Sequence, residues 1–275
     1  MVKFIKRYEF NNPWITSASG LILHQDNFYV VADDELGLIK LHKDFNRPAE
    51  VIQLVEGKLP DDQKLRKKLK PDFESLTYLP QLDSILCLGS GSKPQRQIAL
   101  LRNSSGQIRN LNLTKIYEYL NNTFSELNLE GCTINEDQLI LLQRGNGPSL
   151  QNAVIRIQLQ HFLSDNHQGI QILPIQLGQL NNIPLSFTDA TIYQKRLFFL
   201  AVAENSNSTY EDGEYSGAVI GEIQSDGMIA SMRQIDIPHK PEGLYMHQNK
   251  IFIVTDADDR KICSRLYEAN LDILT

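Results

Sequence analysis

Five oxygen-bearing side chains recur at near-equal intervals along the chain: Ser19, Glu74, Glu130, Asp189 and Glu242. They are 55, 56, 59 and 53 residues apart, and 52 more lead through the C-terminus back to Ser19. Glu74, in KPDFESLTYLP (Lys70–Pro80), shows the problem such residues pose. It stands at the mouth of an alternating apolar run that reads as a buried strand. A carboxylate there is costly unless something answers its charge. Four carboxylates and a hydroxyl around one axis would repel and raise each other's pKa. One answer is a hard cation. Ca²⁺ takes many oxygen ligands in flexible geometry, whereas Mg²⁺, the alternative, demands an octahedron. The other answer is nearby basic side chains, for which Lys93, Arg96, Arg144 and Lys240 are the candidates.

The elements that would position these residues repeat with them. GLILHQDNFYVVAD (Gly20–Asp33) aligns without a gap to GLYMHQNKIFIVTD (Gly243–Asp256). Each is a strand, a tight polar turn and a second strand, a hairpin signature. The unit recurs in FESLTYLPQLDSILCLGS from Phe73, LEGCTINEDQLILLQRG from Leu129 and TDATIYQKRLFFLAVAE from Thr188. Two further strand-like runs follow each of the first four hairpins, but only SRLYEANL follows the fifth. VKFIKRYEF at the N-terminus supplies the missing strand. Four strands per unit, repeated radially, predict an all-β fold: one five-bladed β-propeller over residues 1–275, its last blade closed by the N-terminal strand.

Antiparallel strands then place the start of each first strand, the end of each second strand and the links between blades on one face. That face receives the long segments EGKLPDDQKLRKKLKPDF, LTKIYEYLNNTFSELN, LGQLNNIPLSF and ENSNSTYEDGEYSG. DDQKLRKKL and TKIYEYLNN read as short helices. Function concentrates on long loops over a rigid scaffold. There Asp33 or Asp256, beside a metal, is placed to orient a water for in-line attack. Lys93, Arg96 and Arg144 are placed to hold an anionic group. The structural alternative is that these charges pair with one another as a salt network. GSGSK (Gly89–Lys93) lacks the full phosphate-loop frame and reads as a flexible loop. His24 and His247 fall on the short-turn face.

Composition narrows the functional classes. A net charge of −6 and a pI near 5.6 argue against nucleic-acid and anionic-membrane binding, which need basic surfaces. No run approaches the length of a membrane span. The N-terminus alternates and carries charge throughout, unlike a signal peptide. Cys87, Cys132 and Cys263 are an odd, sparse set, which points to a reducing, cytoplasmic compartment. The Asn207 glycosylation sequon then has no role.

The order Ser, Glu, Glu, acid or hydroxyl, Glu around five blades resembles the calcium-activated nucleotidases of the apyrase type. The resemblance implies a central Ca²⁺ on that ring. The string ADDELG (Ala32–Gly37) resembles the acidic turn that this family places after its second strand. Asp189 stands where the family usually has a serine, and Glu35 where it has an arginine. The phytase-like and esterase-like propellers are similar to about the same degree. Two functions follow as expectations. One is metal-dependent hydrolysis of a phosphate ester or anhydride, with an anionic small molecule as ligand. The other is a non-catalytic propeller with a structural ion and a protein or ligand bound on the long-loop face.

Overall fold

Five blades of four antiparallel strands stand around an axis, and short strands at Val2–Lys3 and Gln179–Leu180 extend the sheet of blade four. We describe residues 2–11, 15–145, 149–205 and 213–274 of a computed structural model. Blade one runs Ala18–His24, Asn27–Ala32, Gly37–His42 and Glu50–Gln53. Blade two runs Phe73–Leu79, Ser84–Gly89, Ala99–Asn103 and Ile108–Asn110. Blade three runs Leu129–Asn135, Gln138–Gln143, Ala153–Gln158 and Gln171–Pro174. Blade four has the longest strands, Ile183–Tyr193, Arg196–Asn205, Glu214–Ile223 and Ile229–Asp236. Blade five runs Lys240–His247, Lys250–Asp256 and Arg265–Asn270, and its outer strand is Ile5–Glu9 from the N-terminus. The chain is therefore the five-bladed propeller that its repeat predicts.

Closure is richer than the sequence suggested. Ile5–Glu9 pairs antiparallel with Arg265–Asn270, but Val2–Lys3 turns away and pairs in parallel with Ile229–Asp236 of blade four. The N-terminal segment thus ties two neighbouring blades together. Val2 is buried in the core between them. Ile5–Glu9 thereby covers the edge of Arg265–Asn270, which would otherwise invite pairing with another chain.

Alternation within each strand turns one side chain toward each neighbouring blade. The apolar core accordingly divides into five clusters, one at each blade interface. Between blades three and four, Phe187 meets Phe199 edge to face at 5.4 Å. Three of the short turns, at Gln25–Asp26, Gln194–Lys195 and Gln248–Asn249, hold both central residues at positive φ. Tight hairpins need this to match the strand twist. The two expected helices form at Gln63–Leu69 and Thr114–Thr123. Among the described residues, no helix is long and apolar enough to cross a membrane. Cys87 and Cys132 are buried thiols, and Cys263 is partly exposed. The Asn207 sequon lies outside the described residues.

Candidate functional site

All five inner strands are irregular at the same place. The pairing register shifts between Ala18 and Leu21, Phe73 and Ser75, Leu129 and Gly131, Phe187 and Asp189, and Pro241 and Gly243. A bulge inserts an extra residue and re-aims its side chain. The extra residues are Ser19 (with Gly20), Glu74, Glu130, Thr188 and Glu242. Thr188, not Asp189, is thus the register equivalent in blade four. The sequence carries the signal: Thr77, Thr133 and Thr191 fall three residues after Glu74, Glu130 and Thr188.

Asp189 has a different task. It stands where the other blades have Gly20, Ser75, Gly131 and Gly243, and it is buried. Its Oδ1 accepts the N–H of Ala190 and its Oδ2 the N–H of Leu244, both at 2.7 Å. Burial raises its pKa well above the ordinary value, with these N–H groups opposing. Oδ2 joins blade four to blade five, and Oδ1 is spent on its own strand. The glycines at this position answer close approach instead. A Cβ on Gly243 would meet the Ser19 carbonyl oxygen at 2.4 Å. Thr188 donates its hydroxyl to the Pro241 carbonyl at 2.9 Å.

Ser19, Glu74, Glu130 and Glu242 line one cavity of about 350 Å³ on the long-loop face. The ends of the second strands join them there: Asp33, Asp34, Arg144, Glu204 and Asp256, with Arg96 just beyond. Lys93 is not part of the wall. Among the described residues, ten carboxylates and eight cationic side chains line the cavity, a surplus of two negative charges.

Built-in cations answer most of the acids. Lys70 bonds Asp33, and Asp72 at 2.9 Å. Burial works against the Lys70 ammonium, but Asp33, Asp72 and Glu74 hold its pKa above the ordinary lysine value. Asp33, opposed by burial, is held low by Lys70. Arg96 reaches Asp72 at 2.7 Å and the Ser92 hydroxyl at 3.1 Å. Asp72 adopts positive φ, which turns it toward both cations. Arg144 lies between Glu130, at 3.3 Å, and Glu204. Lys240 reaches Glu242 at 3.2 Å and Asp258 at 3.1 Å. The salt network weighed for the sequence is therefore present, and it engages Asp33, Arg96 and Arg144.

The pairing is incomplete. Glu242 Oε2 is buried with no hydrogen-bond partner. Burial pushes the Glu242 pKa up to about 8, against the pull of Lys240 and Arg144. Glu74 is raised well above its ordinary value by burial and then by Glu130, Asp72 and Asp33. Glu130 is raised by burial, with Arg144 opposing. Asp256 is raised by burial and accepts the N–H of Asp258 at 2.7 Å. One carboxylate oxygen each from Asp33, Asp72 and Glu74 lies within 4.8 Å of the others, so neighbouring acids crowd this mouth too. Asp72 was not a sequence-level candidate, although it sits two residues before Glu74.

Fold and site together define a five-bladed propeller with an acid-rich, internally neutralised channel mouth. Similar architectures occur in the glutaminyl cyclase of Myxococcus xanthus, with 12% identity, 98% of this chain and 97% of that chain covered, and a TM-score of 0.55. They occur also in a GH43 endo-arabinanase from Bacillus licheniformis, with 13% identity, 96% of each chain and a TM-score of 0.51. A luciferin-regenerating enzyme aligns at 8% identity over 94% of this chain and 93% of that chain, with a TM-score of 0.50. At such identities the likeness is one of fold. The chain belongs to the family described as "Family of unknown function (DUF6929)", whose model matches residues 14–271. No curated protein matches it in sequence. The resemblance to nucleotidases and phytase-like propellers rests on the ring residues and the ADDELG turn alone.

Proposed function

We propose that this chain is a cation-binding propeller whose channel mouth takes a hard divalent ion, Ca²⁺ before Mg²⁺, and presents an anionic small molecule to it. Glu74, Glu130 and Glu242 are the proposed acidic ligands, with the Ser19 hydroxyl beside them; among the described residues, the carboxylates whose oxygens lie within 4.8 Å of one another are Glu74, Asp33 and Asp72. Thr188 holds the equivalent register position in blade four, and Asp189 drops out because both its oxygens are spent. The observation that carries this reading is Glu242 Oε2, a buried carboxylate oxygen without a partner. Such an atom is costly unless it is protonated or bound. The donor set agrees, being hard oxygens with little octahedral constraint.

Ligand bound only by the folded state stabilises it in step with concentration. The test is a thermal-shift titration with Ca²⁺ and with Mg²⁺. A melting temperature that climbs with Ca²⁺ and saturates supports the reading. No shift with either ion refutes it.

Hydrolysis of a phosphate ester or anhydride is the second reading, and the proximity of Asp256 to the ring favours it. It has less support than binding. Asp33 is bonded to Lys70, and Arg144 is held between Glu130 and Glu204. A nucleotide and phosphomonoester panel, with and without Ca²⁺, decides between them. Turnover that requires the ion and falls in Asp256→Asn supports the hydrolase.

A further inference from the structure

The helix Gln63–Leu69 at the cavity rim is inside out. A surface helix ordinarily turns its leucines inward and its lysines outward. Here Leu65 and Leu69, one turn apart, are 51% and 61% exposed, while Arg66 and Lys70, also one turn apart, are buried. Arg66 donates to the Asp34 carbonyl at 2.6 Å and to Glu35 Oε1 at 2.7 Å. Lys70 bonds Asp33 and Asp72. The last turn is also held through its carbonyls, by Gln95 on Lys68 and Arg96 on Lys67, both at 3.2 Å. Polar bonds, not apolar packing, fasten this helix to the propeller. A segment with few buried apolar contacts is held mainly by its polar bonds, so losing them frees it without breaking a hydrophobic core. The same segment contributes Lys64, Arg66, Lys67 and Lys70 to the wall of the cavity that the ring residues line.

We propose that helix 63–69 is a cover over the ring, latched shut by Arg66 and Lys70, and that release of this latch admits ligand to the channel mouth. The proposal rests on the ring being the ligand site, but the latch itself can be examined without any ion. In hydrogen exchange on the full chain, Lys70→Met should speed exchange of the 66–70 amides about tenfold, leaving the inner-strand amides as in the native protein. Lys70→Arg keeps the charge and should keep the native rate, and Arg66→Met gives an independent break. Exchange at 66–70 unchanged in both methionine variants overturns the latch, as does exchange in Lys70→Arg as fast as in Lys70→Met. Stopped-flow mixing with Ca²⁺ then examines the cover. At high salt, where the lost charge is screened, the association rate should rise at least threefold in Lys70→Met, and an equal rate in an opened helix overturns that part. If neither protein binds Ca²⁺, the ring reading falls while the exchange result still decides the latch.

Discussion

Glu242, Asp189 and Glu35 are three buried or half-buried carboxylates with three different fates, set by what meets their oxygens. Glu242 keeps one oxygen unpartnered, so Glu242→Gln should abolish most of the Ca²⁺-dependent rise in melting temperature. Asp189→Asn should leave that rise in place. It should instead cost about 1–3 kcal/mol of stability, because an amide NH₂ must face a backbone N–H and leave it unsatisfied. Comparing the two variants by thermal shift with and without Ca²⁺ separates ligand from staple. Glu35 is pushed up to about 7, first by burial and then by Asp34, against the pull of Arg66 and Arg260. Its folded form therefore holds a proton that the unfolded chain, with a carboxylate value near 4.5, has released. Stability from this group is complete below about pH 4.5 and is lost as pH rises through about 7. Glu35→Gln removes that loss. The variant should melt a few degrees above the native protein at pH 8 and close to it at pH 4, measured by calorimetry without added cation.

The bulged inner strand is the element that makes the site. Each bulge re-aims a residue of the inner strand, and in blades one, three and five the glycine after it lets the neighbouring inner strand approach. Gly243→Ala would place a methyl group against the Ser19 carbonyl, a contact that backbone must yield to relieve. We expect a loss of about 1–3 kcal/mol in urea unfolding, together with a weakened Ca²⁺ response, because the strand that moves carries Glu242. The bulges also explain the limit of reading the repeat as text. Hairpins, turns and blade spacing follow from alternation and turn residues, which are local. The choice between Thr188 and Asp189 depends on where an extra residue is inserted, and cross-strand pairing fixes that. The threonine three residues on pointed to Thr188, but acid chemistry made Asp189 the more conspicuous candidate.

At the scale of the whole molecule, the N-terminal segment closes the ring through two blades. Removing residues 2–9 strips blade five of its outer strand and uncovers part of blade four. The truncated protein should lose cooperative unfolding at ordinary temperatures and associate through the exposed edges, as size-exclusion chromatography and a melting curve would show. Sequence alone determined the architecture: five even steps, four strands per step and one strand displaced to the start of the chain leave a closed propeller as the arrangement that pairs every blade. It also determined the face and most of the inner side chains that line the cavity, since a hairpin repeat puts equivalent positions at one end of the axis. Only the tertiary structure decided how their charges are answered. Lys70 lies 37 residues from Asp33, and Arg144 lies 60 from Glu204, yet each pair is in contact. Burial and electrostatic pairing depend on distance in space, and the fold alone sets that distance.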